Sequence, residues 1–126
     1  MSVVGIGTDI IEISRIGKMS DKVRDKLAFR VLLPVEYEKY KSLKNPTLFL
    51  AKRWAGKEAA SKALGTGIAN GVSFQHIEIK SLSSGQPQLV LTDRAQEIAK
   101  ELGAKSWLIS LSDEALYATA FVVLSA

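Results

Sequence analysis

The chain has 126 residues, 47% of them hydrophobic and 24% charged, the make-up of a globular protein with room for one modest core. It contains no cysteine, which excludes disulfides, thiolate nucleophiles and cysteine-ligated metals, and no apolar run reaches the ~18 residues a membrane span needs. The net charge of +4 is concentrated in the front half, where cations recur from Arg15 to Lys62, so an acidic partner is expected: nucleic acid, a phosphate-rich ligand or an acidic protein.

Residues 2 to 8, "SVVGIGT", are β-branched and glycine-punctuated and read as a strand. No basic region precedes this apolar stretch and no cleavage site follows it, so a secretory signal is not expected and a cytoplasmic location fits. Residues 9 to 18 read as a short helix with Ile10, Ile13 and Ile16 at helical spacing. Residues 21 to 32 give a second helix with Leu27, Val31 and Leu32 on one side, and Pro34 opens a third. After the break at residues 44 to 46 comes the longest helical signal, Thr47 to Gly65, with Thr47 as N-cap and Gly65 as C-cap. Its buried stripe is rich in alanine (Ala51, Ala55, Ala59, Ala63), and small side chains let other backbone or a ligand approach closely.

The glycine-rich "GTGIANG" follows. "VSFQHIEIK" alternates as a strand with Phe74, Ile77 and Ile79 inward, "SSGQP" is a turn, and "QLVLT" is a strand. "DRAQEIAKELG" is a helix with Asp93 as cap and Gly103 as stop. "SWLISLSDE" and "YATAFVVLS" form a closing hairpin. The expectation is one α+β domain over residues 1–126, its helices packed on a mainly antiparallel sheet.

Several chemistries fail on spacing. "GIG" at Gly5 to Gly7 has Ile10 where a dinucleotide fingerprint needs glycine, and "AGKE" lacks the leading glycine and the hydroxyl of a phosphate-binding loop. The single histidine, His76, has no serine elbow beside it and cannot make a zinc site alone. Carboxylates and lysines remain. Glu58 and Lys62 lie four residues apart on one helix face, separated by about 6 Å of rise. That is also the spacing of an ordinary surface pair worth about 0.2–0.5 kcal/mol. Asp9 can cap a helix through "DIIE", with Glu12 reaching back, or it can serve as a ligand. Taken singly, neither acid decides.

Together they do. "GIGTDIIEISRI", "FLAKRWAGKEAASKALGTGI" and "ISLSDEALYATAFVVL" resemble, in order and over nearly the whole chain, the small stand-alone class of 4′-phosphopantetheinyl transferases, the holo-[acyl-carrier-protein] synthases. The central pattern, FxxKRxxxKEAxxKAxGTGI, is highly specific. The resemblance implies transfer of the phosphopantetheine arm of coenzyme A to a serine of acyl carrier protein, releasing adenosine 3′,5′-bisphosphate. It implies Mg²⁺ on Asp9 and Glu58, oxygen ligands suited to a hard cation. Glu58 or a metal-bound water would take the serine proton, and Lys62 would stabilise the departing phosphate.

Around coenzyme A the resemblance places Arg53, Ser61, Lys62 and the Gly65-Thr66-Gly67 turn, with Gly85 and Pro87 against the adenine. It places the carrier protein on Arg15, Met19, Lys22, Lys26 and Arg30, and it implies a homotrimer. Two positions depart from the family pattern: Asp113 stands where many members have histidine, and Gln86 where members often have lysine. The competing readings are a basic nucleic-acid-binding module, which has no use for two converging acids, and a coenzyme A or carrier-protein binder without activity.

Overall fold

The computed structural model describes residues 2–126. The elements in chain order are β1 (Val3–Glu12), α1 (Ile13–Gly17), α2 (Asp21–Val31), α3 (Pro34–Ser42), α4 (Thr47–Ala63), a 3₁₀ turn (Phe74–His76), β2 (Ile77–Ser81), β3 (Pro87–Leu91), α5 (Asp93–Glu101), β4 (Ser106–Asp113) and β5 (Tyr117–Ser125). β1, β5 and β4 form an antiparallel sheet in that order, and β2 and β3 form a separate antiparallel hairpin. The expected α+β class holds. The Trp107 indole N–H, donating to the Leu89 carbonyl at 3.0 Å, links the two sheets.

The first strand runs further than its sequence pattern indicates. Asp9 pairs with Ala120 in mid-strand and the strand continues to Glu12, so Asp9 caps no helix and the first helix starts only at Ile13. Tertiary pairing with β5 overrides the helical spacing of the isoleucines. Smaller differences follow the same logic. Pro46 rather than Thr47 holds the cap position of α4, and Leu64 its C-cap, with Gly65 just beyond at φ +80°. Phe74 falls in the 3₁₀ turn, and Thr92, not Asp93, precedes α5.

The helix α4 lies across the inner face of the three-stranded sheet. Its Ala55, Ala59, Ala60 and Ala63 pack with Ile11, Val122 and Leu124 in the larger core. Residues of one strand face alternate, so Gly5, Gly7, Asp9 and Ile11 of β1 all face this helix. The glycines there are a steric requirement. A Cβ on Gly7 would overlap the Ala59 carbonyl oxygen, and one on Gly5 that of Ala63. Glycine on the strand and alanine on the helix bring the two backbones together, and Asp9 is carried to the helix surface with them.

A second core joins α1 to α4 through Ile16, Ala28, Val31, Tyr40, Leu50 and Phe74. Between the cores lies a buried ion pair. Lys57 is 0% exposed and Glu36 5%. Lys57 Nζ donates to Glu36 Oε1 at 2.6 Å, to the Val31 carbonyl at 2.8 Å and to the Phe74 carbonyl at 3.3 Å. Glu36 also accepts the backbone N–H groups of Leu33 at 2.8 Å and Ile79 at 2.9 Å.

Lys57→Met leaves the Glu36 carboxylate buried without its cation and is expected to cost about 3–5 kcal/mol. Combining it with Glu36→Gln removes both charges and should restore most of that loss. Urea unfolding of the single and double variants measures this, and a Lys57→Met protein as stable as wild type would show that the pair does not hold the helices in place.

Candidate active site

Asp9 leaves β1 two residues after Gly7 and on the same face, which points it at the second half of α4. There Lys62 Nζ donates to Asp9 Oδ1 at 2.9 Å and to the Thr8 carbonyl at 3.0 Å. The Asp9 side chain is 16% exposed and that of Lys62 52%, so the pair lies at the mouth of the site. Glu58, one turn before Lys62, is half-buried. Its pKa is raised above the usual carboxylate range, first by burial and next by the Asp9 charge, while Lys62, the Trp54 indole and Arg30 pull it down. The strand and the helix therefore bring together three residues that lie far apart in sequence: Asp9, Glu58 and Lys62.

A half-buried carboxylate with a raised pKa is a better proton acceptor than a solvated one. Two carboxylates and no nitrogen or sulfur donor make a set for a hard cation, one that retains waters and takes further oxygens from a phosphate-bearing ligand. Among the described residues no group of three or more metal-ligating side chains assembles. The Asp9–Glu58 repulsion is the kind of strain a divalent cation relieves.

The helix separates two cavities. One, of about 410 Å³, opens beside Asp9 and Lys62 and is walled by Thr8, Ser110, Ser112 and Thr119. The other, of about 760 Å³, is lined by Lys39, Phe49, Lys52, Arg53, Lys80 and Ser81 among others. Arg53 precedes Glu58 by five residues, about 140° round the helix, and so faces this second cavity. Its guanidinium stacks on the Phe49 ring at 4.7 Å and donates to Ser81 Oγ at 2.9 Å. Its Nε is buried with no hydrogen-bond partner, and burial lowers its pKa. A buried cation that lines a cavity and makes no ion pair among the described residues favours an anion there.

The remaining sequence candidates divide. Ser61 is fully buried, and its hydroxyl donates to the Glu58 carbonyl at 2.7 Å within its own helix, which leaves that hydroxyl no path to a ligand. The Gly65, Thr66 and Gly67 N–H groups close the end of α4 on the Lys62 and Ser61 carbonyls. That turn is a helix terminator with its donors engaged, not an open cradle of N–H groups. Gly85 sits at φ +89° in the β2–β3 turn, and Pro87 begins β3 opposite Ser81, which lines the Arg53 cavity. Gln86 lies in the same exposed turn.

Arg15, Met19, Lys22, Lys26 and Arg30 fall on α1, α2 and the bend between them. Arg15 stacks over Trp54 at 5.1 Å and Arg30 over Phe74 at 5.8 Å. Arg30 also acts on Glu58, so the basic face borders the site. Asp113 ends β4 and pairs with Lys52 at 2.9 Å. His76 accepts from the Ser73 N–H at 3.3 Å as a local cap. Sequence reasoning missed Trp54, Phe49, Lys52 and Ser81, whose signal was only their position on the two faces of α4 and at the end of β2.

Known proteins share this fold and much of this sequence. A family model described as the 4′-phosphopantetheinyl transferase superfamily matches residues 5–122. A holo-[acyl-carrier-protein] synthase of Shewanella frigidimarina is 52% identical over 124 residues, covering 98% of each chain. The crystal structure of the holo-[acyl-carrier-protein] synthase of Neisseria meningitidis superposes with a TM-score of 0.89 at 37% identity, covering 99% of this chain and 100% of that one. A Bacillus anthracis holo-(acyl-carrier-protein) synthase, solved in complex with coenzyme A (3′,5′-ADP), gives 0.80 at 40% identity over 97% and 96% of the two chains.

Ionising Glu58 opposes folding, because its folded pKa lies above its ordinary value. Its contribution to stability is complete below the ordinary carboxylate pKa and is lost as pH rises through the folded value. Glu58→Gln cannot ionise. In metal-free buffer at pH 8 it is expected to melt at or above the wild-type temperature, the difference closing as the pH falls below about 4. Thermal melts across that range test it, and a variant that melts lower at pH 8 would mean that ionised Glu58 is favourably held.

Proposed function

The chain belongs to the 4′-phosphopantetheinyl transferase superfamily, and on that premise we propose how its residues divide the work of a holo-[acyl-carrier-protein] synthase. The reaction moves the 4′-phosphopantetheine arm of coenzyme A onto a serine of apo-acyl carrier protein and releases adenosine 3′,5′-bisphosphate, which readies the carrier for fatty acid biosynthesis. The observation that supports the assignment of roles is Lys62 on Asp9 at 2.9 Å, with Glu58 one turn away and its pKa raised by burial and by Asp9.

Glu58 takes the proton of the carrier serine as its oxygen forms a bond to the β-phosphorus. Lys62 neutralises the charge that collects on the departing phosphate as the pyrophosphate bond breaks. Asp9 holds Lys62 at the reacting end and, with Glu58, would hold Mg²⁺ through carboxylate oxygens. When bound, that ion offsets the negative charge of the pyrophosphate.

Because Arg53 and Lys62 lie about 180° apart round α4, the nucleotide end is taken by a neighbouring copy's Arg53, its neighbour Phe49 and the Lys39–Lys80 side of that copy's 760 Å³ cavity, with Gly85 and Pro87 at its edge. The buried Arg53 cation, lining the cavity without an ion pair among the described residues, supports this placement. Gly65 and Gly67 keep the end of α4 free of side chains near the pyrophosphate. The basic face of Arg15, Lys22, Lys26 and Arg30, with Met19, receives the acidic carrier protein, and its charges act chiefly on association rate. The chain works as a single domain. No helix among the described residues is long and apolar enough to cross a membrane, and the site of action is the cytoplasm.

The outer face of the β1–β5–β4 sheet supports assembly into a homotrimer. Ile6 is 62% exposed, Ile10 62%, Leu108 69% and Phe121 43%. The register sets Ile6, Val123 and Leu108 in one row and Thr8, Phe121 and Ser110 in the next, a contiguous apolar surface of the kind that marks an interface. The 410 Å³ cavity opens on the same face, so a neighbouring copy would complete its wall.

Intact mass of an apo-acyl carrier protein incubated with this protein, coenzyme A and Mg²⁺ should rise by about 340 Da, and EDTA should prevent the gain. Asp9→Ala and Glu58→Ala are expected to abolish transfer while the fold persists, and full activity in either would end its assigned role. Arg15→Ala should raise KM for the carrier protein several-fold at constant kcat. The double substitution Leu108→Glu/Phe121→Glu is expected to sediment as a monomer and to lose activity. An active monomer would overturn the shared-cleft reading.

A further inference from the structure

We propose that Asp113 is a competing counter-ion for Lys52 and so sets how tightly the nucleotide end of coenzyme A, and the bisphosphate product, are held. The proposal rests on the reading of the 760 Å³ cavity as the nucleotide site. Lys52 lines that cavity, yet its Nζ is drawn to Asp113 Oδ1 at 2.9 Å. The two residues come from different elements, α4 and the end of β4, so the contact is not an incidental helix-surface pair.

The other lining charges are arranged differently. Arg53 is fixed by Ser81 and Phe49. Lys39 and Lys80 make no ion pair among the described residues. Of the lining acids, Glu36 is engaged by Lys57, and Glu78 makes no ion pair among those residues. Among the described residues, Lys52 is therefore the lining cation with an exchangeable carboxylate partner.

The pair is about one-third exposed on each side, 28% and 33%, a setting in which an ion pair is worth only about 0.2–1 kcal/mol. A phosphate offers more oxygens and more charge than one carboxylate. Lys52 can thus leave Asp113 for the ligand, and the ligand forfeits the strength of the pair it breaks. The carboxylate lowers affinity for substrate and product alike, which favours release of the bisphosphate after each turnover.

Calorimetric titration of the full chain in its native assembly with adenosine 3′,5′-bisphosphate, at about 0.15 M salt, tests the proposal. Asp113→Asn is expected to tighten binding by up to about five-fold, and Lys52→Met to weaken it. In the Lys52→Met background, Asp113→Asn should change affinity by less than about 1.5-fold. Unchanged or weaker binding in Asp113→Asn overturns the proposal, as does the same tightening without Lys52, which would reveal a general field effect.

Arg53→Met and Lys80→Ala distinguish the two layers of the argument. If neither weakens binding, the nucleotide reading of the cavity fails and the proposal with it. If they weaken it while Asp113→Asn does not tighten it, the role of Asp113 alone fails.

Discussion

The arrangement depends on a charge that water does not reach. Lys57, fully buried in the middle of α4, grips the end of α2, the 3₁₀ turn and, through Glu36, both α3 and β2. A buried pair of this kind adds little net stability over well-packed apolar side chains. What it adds is uniqueness, because only one rotation of α4 satisfies all of its donors and acceptors. Glu58 is the next residue, about 100° further round the helix. The contact that fixes the rotation of the helix therefore also fixes the direction in which the candidate base leaves it.

The second constraint is steric. Gly5 and Gly7 on β1 meet the backbone of α4 at Ala63 and Ala59 with no room for a Cβ. That close approach puts Asp9 within reach of Lys62 and close enough to Glu58 to raise its pKa. Polar chemistry at this site is thus supported by the least polar, smallest side chains in the chain. The charged residues alone, without the glycine and alanine surfaces beneath them, would not meet.

Much of this was legible in the sequence, for identifiable reasons. The long helix, the closing hairpin and the α+β class follow from local periodicity. The meeting of Asp9, Glu58 and Lys62 followed from the resemblance, since residues roughly fifty positions apart leave no local signal of contact. The reading of Asp9 within a short helix failed because the isoleucine spacing in "DIIEISRI" suits a helix, while pairing with β5 decides the matter. Lys57 and Glu36 were invisible. Each is an unremarkable member of a charged stretch, and burial of such a residue depends on what packs over it. Ser61 and the Gly65–Gly67 turn looked ligand-facing by position, but their donors serve the end of the helix.

Arg53, Lys57, Glu58 and Lys62 share one uninterrupted helix, with Arg53 lining one cavity and Lys62 the other. An inserted or deleted residue anywhere between them would turn everything beyond it by about 100° and shift it by about 1.5 Å along the axis. The Lys57 staple would be lost, or Glu58 would face the wrong side. This segment therefore cannot change in length without losing one of these contacts. An inserted or deleted residue is better accommodated in an exposed connection such as residues 114–116, which joins two strands and sets no helical phase.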